Sequence, residues 1–298
     1  MKDALRRSSS WYPSFAALGC TNPTPRSTME IVIQEMRARL DQPLPLEQLA
    51  EITGFSPYHF HRLFRSVTGI PPNEYLTVLR LQEAKRLLLA TPLSVTDICF
   101  NVGYASLGTF TTRFTSLVGL SPSHLRRFTS ATTLPTLSQL HEILSTASRD
   151  VTSSRAIGGY IHAPYPLSGP IFIGLFPKPL PQGTPCTCTV LTTPGLFHIA
   201  SPPDGCYYLL ATSLPWSPDP LVPTLPQSDL LVGACSEPLH IHHGVSNRHF
   251  NISLRPSTPI DLPILSCLPF LLIQRLTQVP TASEKESKIE ETEALITC

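Results

Sequence analysis

The sequence predicts an all-α double helix-turn-helix domain followed by an all-β sandwich domain, and three observations support this fold class. The chain has 298 residues, which is more than one domain usually holds. Between Ser27 and Arg127 prolines are few and apolar residues recur at helical spacing. From about Ala156 to Ile273 prolines and threonines are frequent and apolar residues tend to alternate, which is typical of strands.

These changes of pattern set the expected boundaries. We expect a disordered segment over 1–26, the helical domain over 27–128 and a linker over 129–153, with a short helix between Leu137 and Leu144. The β-sandwich domain is expected over 154–276. Residues 281–298 hold five Glu and two Lys with few apolar groups, so we expect 277–298 to be a solvated charged tail.

Composition excludes some classes of protein and leaves others open. The formal net charge is +1, and residues 27–130 hold ten Lys and Arg against eight Asp and Glu. Any affinity for nucleic acid must therefore depend on where the charges sit. Apolar runs are too short for a membrane span or a signal peptide, so we expect a soluble, cytoplasmic protein that makes no membrane contact. Eight scattered cysteines do not form the framework of a small secreted domain, and we expect them to be reduced.

The helical region contains an internal repeat. LEQLAEITGFSPYHFHRLFRSVTGIPP begins at Leu46, and VTDICFNVGYASLGTFTTRFTSLVGLSP begins at Val95. Gly54 matches Gly103 at an offset of 49, whereas Phe60 matches Phe110 at an offset of 50, so the second copy has one more residue in its turn. Two copies of a small two-helix unit predict one helical body.

Each copy has the pattern of two helices joined by a tight turn. Gly54 can take the positive φ that ends the first helix sharply, and Ser56 before Pro57 begins the second. The expected buried stripe of that second helix is Phe60, Phe64 and Val67. The corresponding turn, cap and stripe of the second copy are Gly103, Ser106, Phe110, Phe114 and Leu117. Further helices are expected over Met29–Leu40 after the caps Ser27 and Thr28, Glu74–Leu89 after Asn73, and Pro122–Phe128 after Ser121.

GFSPYHFHRLFRSVTGIPPNEYLTVLRLQEAKRLL and VTDICFNVGYASLGTFTTRFTSLVGLSPSHLRR resemble the two halves of an AraC/XylS DNA-binding module. The resemblance covers about 100 residues, a third of the chain. It implies a regulator that binds double-stranded promoter DNA, with RNA polymerase as a further partner and two recognition helices in successive major-groove segments. Family members commonly carry a separate sensing domain before this module, whereas here the extra domain follows it.

Helical geometry selects the residues that would contact DNA, because each residue turns the helix by about 100°. With Phe60 and Phe64 inward, the outward residues are Tyr58, His61, Arg62 and Arg65. Arg62 can donate two hydrogen bonds to guanine, His61 and Tyr58 can add contacts to base edges, and Arg65 is placed for a phosphate. The alternative is a solvated helix face with no ligand.

The second helix offers different chemistry. Its outward residues are Gly108, Thr111, Thr112 and Thr115, and none of them is charged. The family commonly has Arg at the position of Thr112, whereas here the arginine is one residue later, at Arg113, which we include among the candidate DNA contacts. We predict that this helix contributes more to positioning the protein on DNA than to selecting the base sequence. Arg126 and Arg127, near the end of the module, are candidates for phosphate contacts.

Seven strands are expected in the second domain, and they resemble carboxypeptidase-regulatory-like or transthyretin-like sandwiches. The expected strands are Ala156–His162, Ile171–Phe176, Cys186–Thr193, Phe197–Ala200, Tyr207–Leu214, Leu239–His243 and Phe250–Leu254. Such a domain implies binding of a small-molecule effector or a protein partner. The cluster His240, His242, His243 and His249 is a conceivable zinc or copper site, but histidines on an exposed hairpin are commoner, and we expect no metal and no cofactor.

The sequence therefore predicts a transcription regulator with a sensing or partner-binding domain. No nucleophile elbow, dinucleotide-binding fingerprint or phosphate-binding loop appears, so we expect no enzyme. The alternative is an interaction scaffold whose helical module no longer reads DNA.

Overall fold

The computed structural model describes residues 24–131, 138–139, 142, 156–200, 203–215, 230–235, 237–243 and 249–267. Seven helices lie in the first of these ranges. They are α1 (Pro25–Ala38), α2 (Leu46–Thr53), α3 (Pro57–Thr68), α4 (Pro72–Ala90), α5 (Val95–Asn101), α6 (Leu107–Val118) and α7 (Pro122–Ala131). The fold class is confirmed: a helical body with two helix-turn-helix units precedes a β-rich region.

The start of the first helix differs from the prediction. α1 begins at Pro25 rather than Met29, because the Thr24 side chain caps the helix by accepting from the Ser27 amide at 3.3 Å. Proline suits the first turn of a helix, where its missing N–H has no partner to lose. The rest of the expected disordered segment, the charged tail and most of the expected linker lie outside the described residues, although residues 129–131 belong to α7.

One buried cluster joins all seven helices. The aromatic rings of the two repeats lie at its centre, and Phe60, Phe64, Phe110 and Phe114 are all fully buried. α4 crosses the body between the two motifs, and its buried Tyr75 contacts Phe64 edge-on, with ring centroids 5.5 Å apart. The long helix therefore holds the two motifs in a fixed relation through packing.

Two sheets form the β-rich region. The first has the order β4-β1-β8, from β4 (Leu196–Ala200), β1 (Ala156–His162) and β8 (Phe250–Ser253). The strands of the second sheet are β2 (Ile171–Phe176), β3 (Thr187–Leu191), β5 (Gly205–Ser213), β6 (Leu231–Ala234), β7 (Leu239–Ile241) and β9 (Arg255–Pro256). Their order is β3-β2-β5-β6-β9, and β7 also pairs with β5. Side chains of both sheets share one apolar cluster, as in a sandwich.

The observed strands follow the predicted ones with two additions, and one of their pairings is parallel. β6 and β9 were absent from the predicted set, and Cys186 precedes β3 rather than beginning it. β1 pairs with β8 in parallel, so that Gly159 lies opposite Phe250. A side chain at Gly159 would collide with the Phe250 carbonyl and the Phe197 ring, which explains the glycine there.

The last described segment returns to the helical body. We call residues 258–267 the strap. Leu265 and Cys267 of the strap are fully buried in the cluster of the helical body. The Tyr75 hydroxyl faces the carbonyl oxygens of Pro259, Ile260 and Asp261 at 3.3–3.4 Å. The strap thereby connects the β-rich region to the helix that lies between the two motifs.

Candidate nucleic-acid interface

The turn of each motif has the conformation that its glycine was expected to supply. Gly54 ends α2 with φ +70°, and Gly103 follows α5 with φ +80°. The two glycines differ in their surroundings. A Cβ at Gly54 would meet no atom within 4 Å, whereas a Cβ at Gly103 would collide with the Leu40 carbonyl oxygen and come within 2.9 Å of the Arg80 guanidinium. The second turn is therefore the tighter of the two.

Side-chain caps fix where the two recognition helices begin. Ser56 accepts from the His59 amide at 3.4 Å, and Ser106 accepts from the Thr109 amide at 3.4 Å. Each cap satisfies an amide that the first helical turn leaves without a backbone partner. The predicted caps are confirmed at both positions, and α3 and α6 each span 12 residues.

The inward faces agree with the predicted stripes except at their ends. Phe60, Phe64, Phe110 and Phe114 are buried as predicted. In α6 the third fully buried residue is Val118, whereas Leu117 is only half-buried. In α3 Val67 is half-buried as well. Both helices end just after these residues, at the left-handed glycines Gly69 and Gly119, so the last turn of each helix is less completely buried than the earlier turns.

The outward face of α3 presents an aromatic ring beside a guanidinium. Tyr58 is 73% exposed, and the Arg62 guanidinium lies 5.8 Å from the centre of its ring, a cation–π distance. Arg65 is exposed one turn further along, and His61 is half-buried. The structure thus brings the four predicted residues of the first helix to one side, with Arg62 held above Tyr58 at its centre.

The outward face of α6 is uncharged at the corresponding positions. Gly108, Thr112 and Thr115 are exposed, and Thr111 is half-buried. The Thr115 hydroxyl donates to the Thr111 carbonyl oxygen at 2.8 Å, so it is engaged within its own helix. These residues occupy the same turns as Tyr58, His61, Arg62 and Arg65, but they leave the surface of α6 without a cation there.

Two predicted arginines are directed toward α4. Arg113 is exposed, and its Nη1 donates to the Thr77 hydroxyl at 3.3 Å. Arg126 is half-buried, and its Nε donates to the Leu88 carbonyl oxygen at 3.2 Å. Arg127 is exposed. The structure therefore separates Arg113 and Arg126 from the exposed face formed by Tyr58, Arg62 and Arg65.

Further exposed aromatic residues lie beside the candidate interface, and helical periodicity did not predict them. Phe55 and His59 form an edge-to-face pair with centroids 4.8 Å apart at the start of α3. Phe100 is 55% exposed just before the second turn. His59 lies in the first turn of α3, beside Tyr58, and this position in the sequence could have identified it as a candidate for DNA contact. Phe55 belongs to the turn before α3, and helical periodicity does not predict which residues of a turn are exposed.

The histidine cluster is exposed at each of its four positions, His240, His242, His243 and His249. Within the described ranges no group of three or more His, Cys, Asp or Glu residues is arranged to hold a metal ion. In the same part of the chain, none of the helices combines the length and apolar character that crossing a membrane requires.

Comparisons with known proteins place the similarity on the helical body. A family model described as a helix-turn-helix domain matches residues 49–127. The HTH-type transcriptional activator AarP of Providencia stuartii is 32% identical over 100 residues, which cover 34% of this chain and 74% of AarP.

Two further relatives are similar over part of their length. The HTH-type transcriptional regulator GlxA of Rhizobium meliloti (strain 1021) is 32% identical over 135 residues, 42% of each chain. The bifunctional transcriptional activator/DNA repair enzyme AdaA of Bacillus subtilis (strain 168) is 33% identical over 99 residues, 33% of this chain and 47% of AdaA. This chain therefore spans less than half the length of GlxA and of AdaA.

Proposed function

Because this chain belongs to the AraC/XylS family of helix-turn-helix transcription regulators, we propose that it controls transcription by placing α3 and α6 in successive major-groove segments of promoter DNA. The observation that carries the proposal is the exposed face of α3. A capped helix presents Arg62 above Tyr58, with Arg65 one turn further along. B-DNA's major groove admits a helix, and a bidentate arginine is its commonest guanine contact.

Each residue of this face has a proposed role. Arg62 donates to the O6 and N7 atoms of a guanine, and the Tyr58 ring beneath it limits the positions of the guanidinium. His61 adds a polar base contact, and Arg65 contacts a phosphate. His59, in the first turn, is a further candidate because it lies beside Tyr58 and its imidazole is exposed.

The second helix has a positioning role in this proposal. The absence of a side chain at Gly108 lets the start of α6 approach the DNA backbone closely. Thr111 and Thr112 supply methyl and hydroxyl groups, which contact thymine methyls or phosphates with less discrimination than arginine. Arg113 and Arg126 then contribute through α4, by fixing how the second motif and α7 lie against it.

The proposal extends to two partners. RNA polymerase is the expected protein partner, because a regulator bound at a promoter acts by helping or blocking the polymerase. The β-rich region binds an effector or a partner, since it contributes Leu265 and Cys267 to the core of the helical body and can therefore influence it. The relatives named above are transcription regulators, and only AdaA carries an enzyme name, so we propose a regulator without a reaction of its own.

The test measures binding of the full-length chain to duplex DNA enriched from a random pool. We expect a dissociation constant that rises steeply with salt, because phosphate contacts release counterions. Arg62→Ala should weaken binding to the enriched site. Arg86→Ala is the matched control, since it removes an arginine whose guanidinium is hydrogen-bonded to Glu83 on α4. The scaffold alternative requires that no duplex is enriched over the starting pool.

A further inference from the structure

A cavity of about 510 Å³ lies between the β-rich region and the helical body. This volume falls within the range of about 300–1,000 Å³ that small-molecule sites usually occupy. One wall is the second face of the larger sheet, the face opposite the sandwich core. The other walls come from the strap, from Arg26 on α1, and from Val67 and Thr68 at the end of α3.

Strand geometry explains why that wall is apolar. Side chains alternate between the two faces of a strand. In β2, Ile171, Ile173 and Leu175 enter the sandwich core, so Phe172 and Phe176 turn to the cavity. The neighbouring strands add Val190, Leu210 and Val232 to the same wall. A soluble sandwich usually covers one face of a sheet with polar groups, whereas here both faces are apolar. The second face therefore suits an apolar ligand.

The charges at the rim favour a negatively charged group. Asp261 accepts two hydrogen bonds from Arg255, at 2.7 and 2.8 Å, so these two charges compensate each other. Arg26 donates to the Thr258 hydroxyl at 3.0 Å, and its Nε lies 3.7 Å from the Glu30 carboxylate, too far for a hydrogen bond. Three charged residues of the described chain line the cavity. Arg255 and Asp261 are hydrogen-bonded to each other, whereas Arg26 has only the longer ion pair to Glu30, so its guanidinium can still donate to an anionic group of a ligand.

The cavity also touches the parts of the chain that bear on DNA binding. Ile260, Leu262 and Ile264 of the strap line it, and the buried Lys85 ammonium of α4 donates to the Ile264 carbonyl oxygen at 3.0 Å. Val67 and Thr68 line it from the last turn of the first recognition helix. A molecule in the cavity would therefore contact α3 directly and α4 through the strap.

We infer that this cavity is the effector site, and that it binds a small molecule with an apolar body and a single anionic group placed beside Arg26. That the bound molecule acts as an effector of DNA binding rests on the proposed function, whereas the site and the class of ligand rest on the cavity alone. The apolar body packs against the sheet, and the anion forms a charge-assisted pair with the Arg26 guanidinium.

The experiment uses two fluorescent dyes that share one apolar body. These are 8-anilinonaphthalene-1-sulfonate, which is an anion, and the uncharged N-phenyl-1-naphthylamine. Titration of the full-length chain should show one site per chain for each dye, with the anion bound more tightly. Replacing Arg26 by Gln should weaken the anionic dye about fivefold, as expected for a partly exposed charge pair, and leave the uncharged dye within about twofold.

Filling the cavity tests its location. Ala234→Trp and Val190→Phe, on separate strands of the wall, should each weaken both dyes at least tenfold. Leu196→Trp is the matched control, because it adds an indole at an exposed position of the other sheet. The circular dichroism spectrum and urea denaturation of each variant show whether it is folded. One filling variant that folds is enough for the test.

The outcomes separate the two proposals. Unchanged dye affinity in a folded filling variant places the dyes elsewhere and overturns the site. Equal weakening of both dyes by Arg26→Gln overturns the preference for an anion. A chain that shows the expected dye pattern but binds no duplex DNA supports the site and contradicts the proposed function instead.

Discussion

The first and second motifs carry different chemistry on the same backbone. The outward positions of α3 hold an aromatic ring and two arginines, Tyr58, Arg62 and Arg65. The corresponding positions of α6 hold a glycine and two threonines, Gly108, Thr112 and Thr115. The capping serines and the left-handed glycines match in both motifs. A shared fold thus sets where each helix lies, while the outward residues decide whether it discriminates between bases.

A shift of one position along α6 changes what the arginine of the second motif contacts. One residue along a helix is a rotation of about 100°. Arg113 therefore occupies the position that Leu63 has in α3, and it donates to Thr77 of α4 rather than lying at the position of Arg62. The second motif keeps a cation, but that cation joins two helices of the body.

The largest expected difference between the motifs concerns stability. Gly54→Ala should lower the free energy of unfolding by about 1 kcal/mol, the cost of a left-handed conformation with a Cβ. Gly103→Ala should cost about 3 kcal/mol or more, because the Cβ also collides with the Leu40 carbonyl and with Arg80. Urea denaturation of the full-length variants, followed by circular dichroism, measures both. Equal losses would mean that the second turn is no tighter than the first.

The next largest effect concerns base discrimination. Arg62→Ala should remove about 1–3 kcal/mol of preference for guanine at one position, because the bidentate contact is lost. Thr112→Ala, at the corresponding position of α6, should change discrimination by less than about 0.5 kcal/mol. Competition binding with each of the four bases at that position measures the preference. A loss in Thr112→Ala as large as that in Arg62→Ala would contradict the assigned orientation of the two helices.

Adding an arginine to α6 should make the second motif read DNA more like the first. Thr112→Arg places a guanidinium at the position that Arg62 holds in α3, on an exposed part of α6. We expect about 1 kcal/mol tighter binding, with new preference for guanine in the second half-site. Thr112→Gln is the control for side-chain length without charge. Tighter binding to all sequences alike would indicate a phosphate contact rather than base reading.

The smallest expected effect is on salt dependence. Arg65→Gln should reduce the slope of log affinity against log salt by about 0.9, the value for one phosphate contact on duplex DNA. Thr115→Val, the corresponding change in α6, should leave the slope unchanged because the threonine is uncharged. Titrations at several salt concentrations give both slopes. An unchanged slope in Arg65→Gln would remove this residue from the phosphate contacts.

Local rules predicted much of the helical body. The positive φ of Gly54 and Gly103 and the caps at Ser56 and Ser106 follow from the conformations that single residues allow, and they were correct. The start of α1 was missed because Thr24 before Pro25 gives only a short signal at the edge of a polar segment.

Contacts between distant residues could not be predicted in the same way. The hydrogen bonds of Tyr75 to the strap join residues more than 180 positions apart, and no periodicity reports such a pairing. β6 is only four residues long and lies in a proline-rich stretch, so its alternation was too short to recognise. The direction of Arg113 depends on Thr77, which belongs to another helix.

We expect the two motifs to read DNA unequally, and selection of bound duplexes from random DNA with the full-length chain measures this difference. The selected sites should contain one sharp half-site with a guanine and one degenerate half-site about one helical turn away. Arg62→Ala should remove the guanine from the selected set, whereas Thr112→Ala should leave the set as it is. Two equally sharp half-sites, or a guanine that persists in Arg62→Ala, would show that the motifs do not differ in this way.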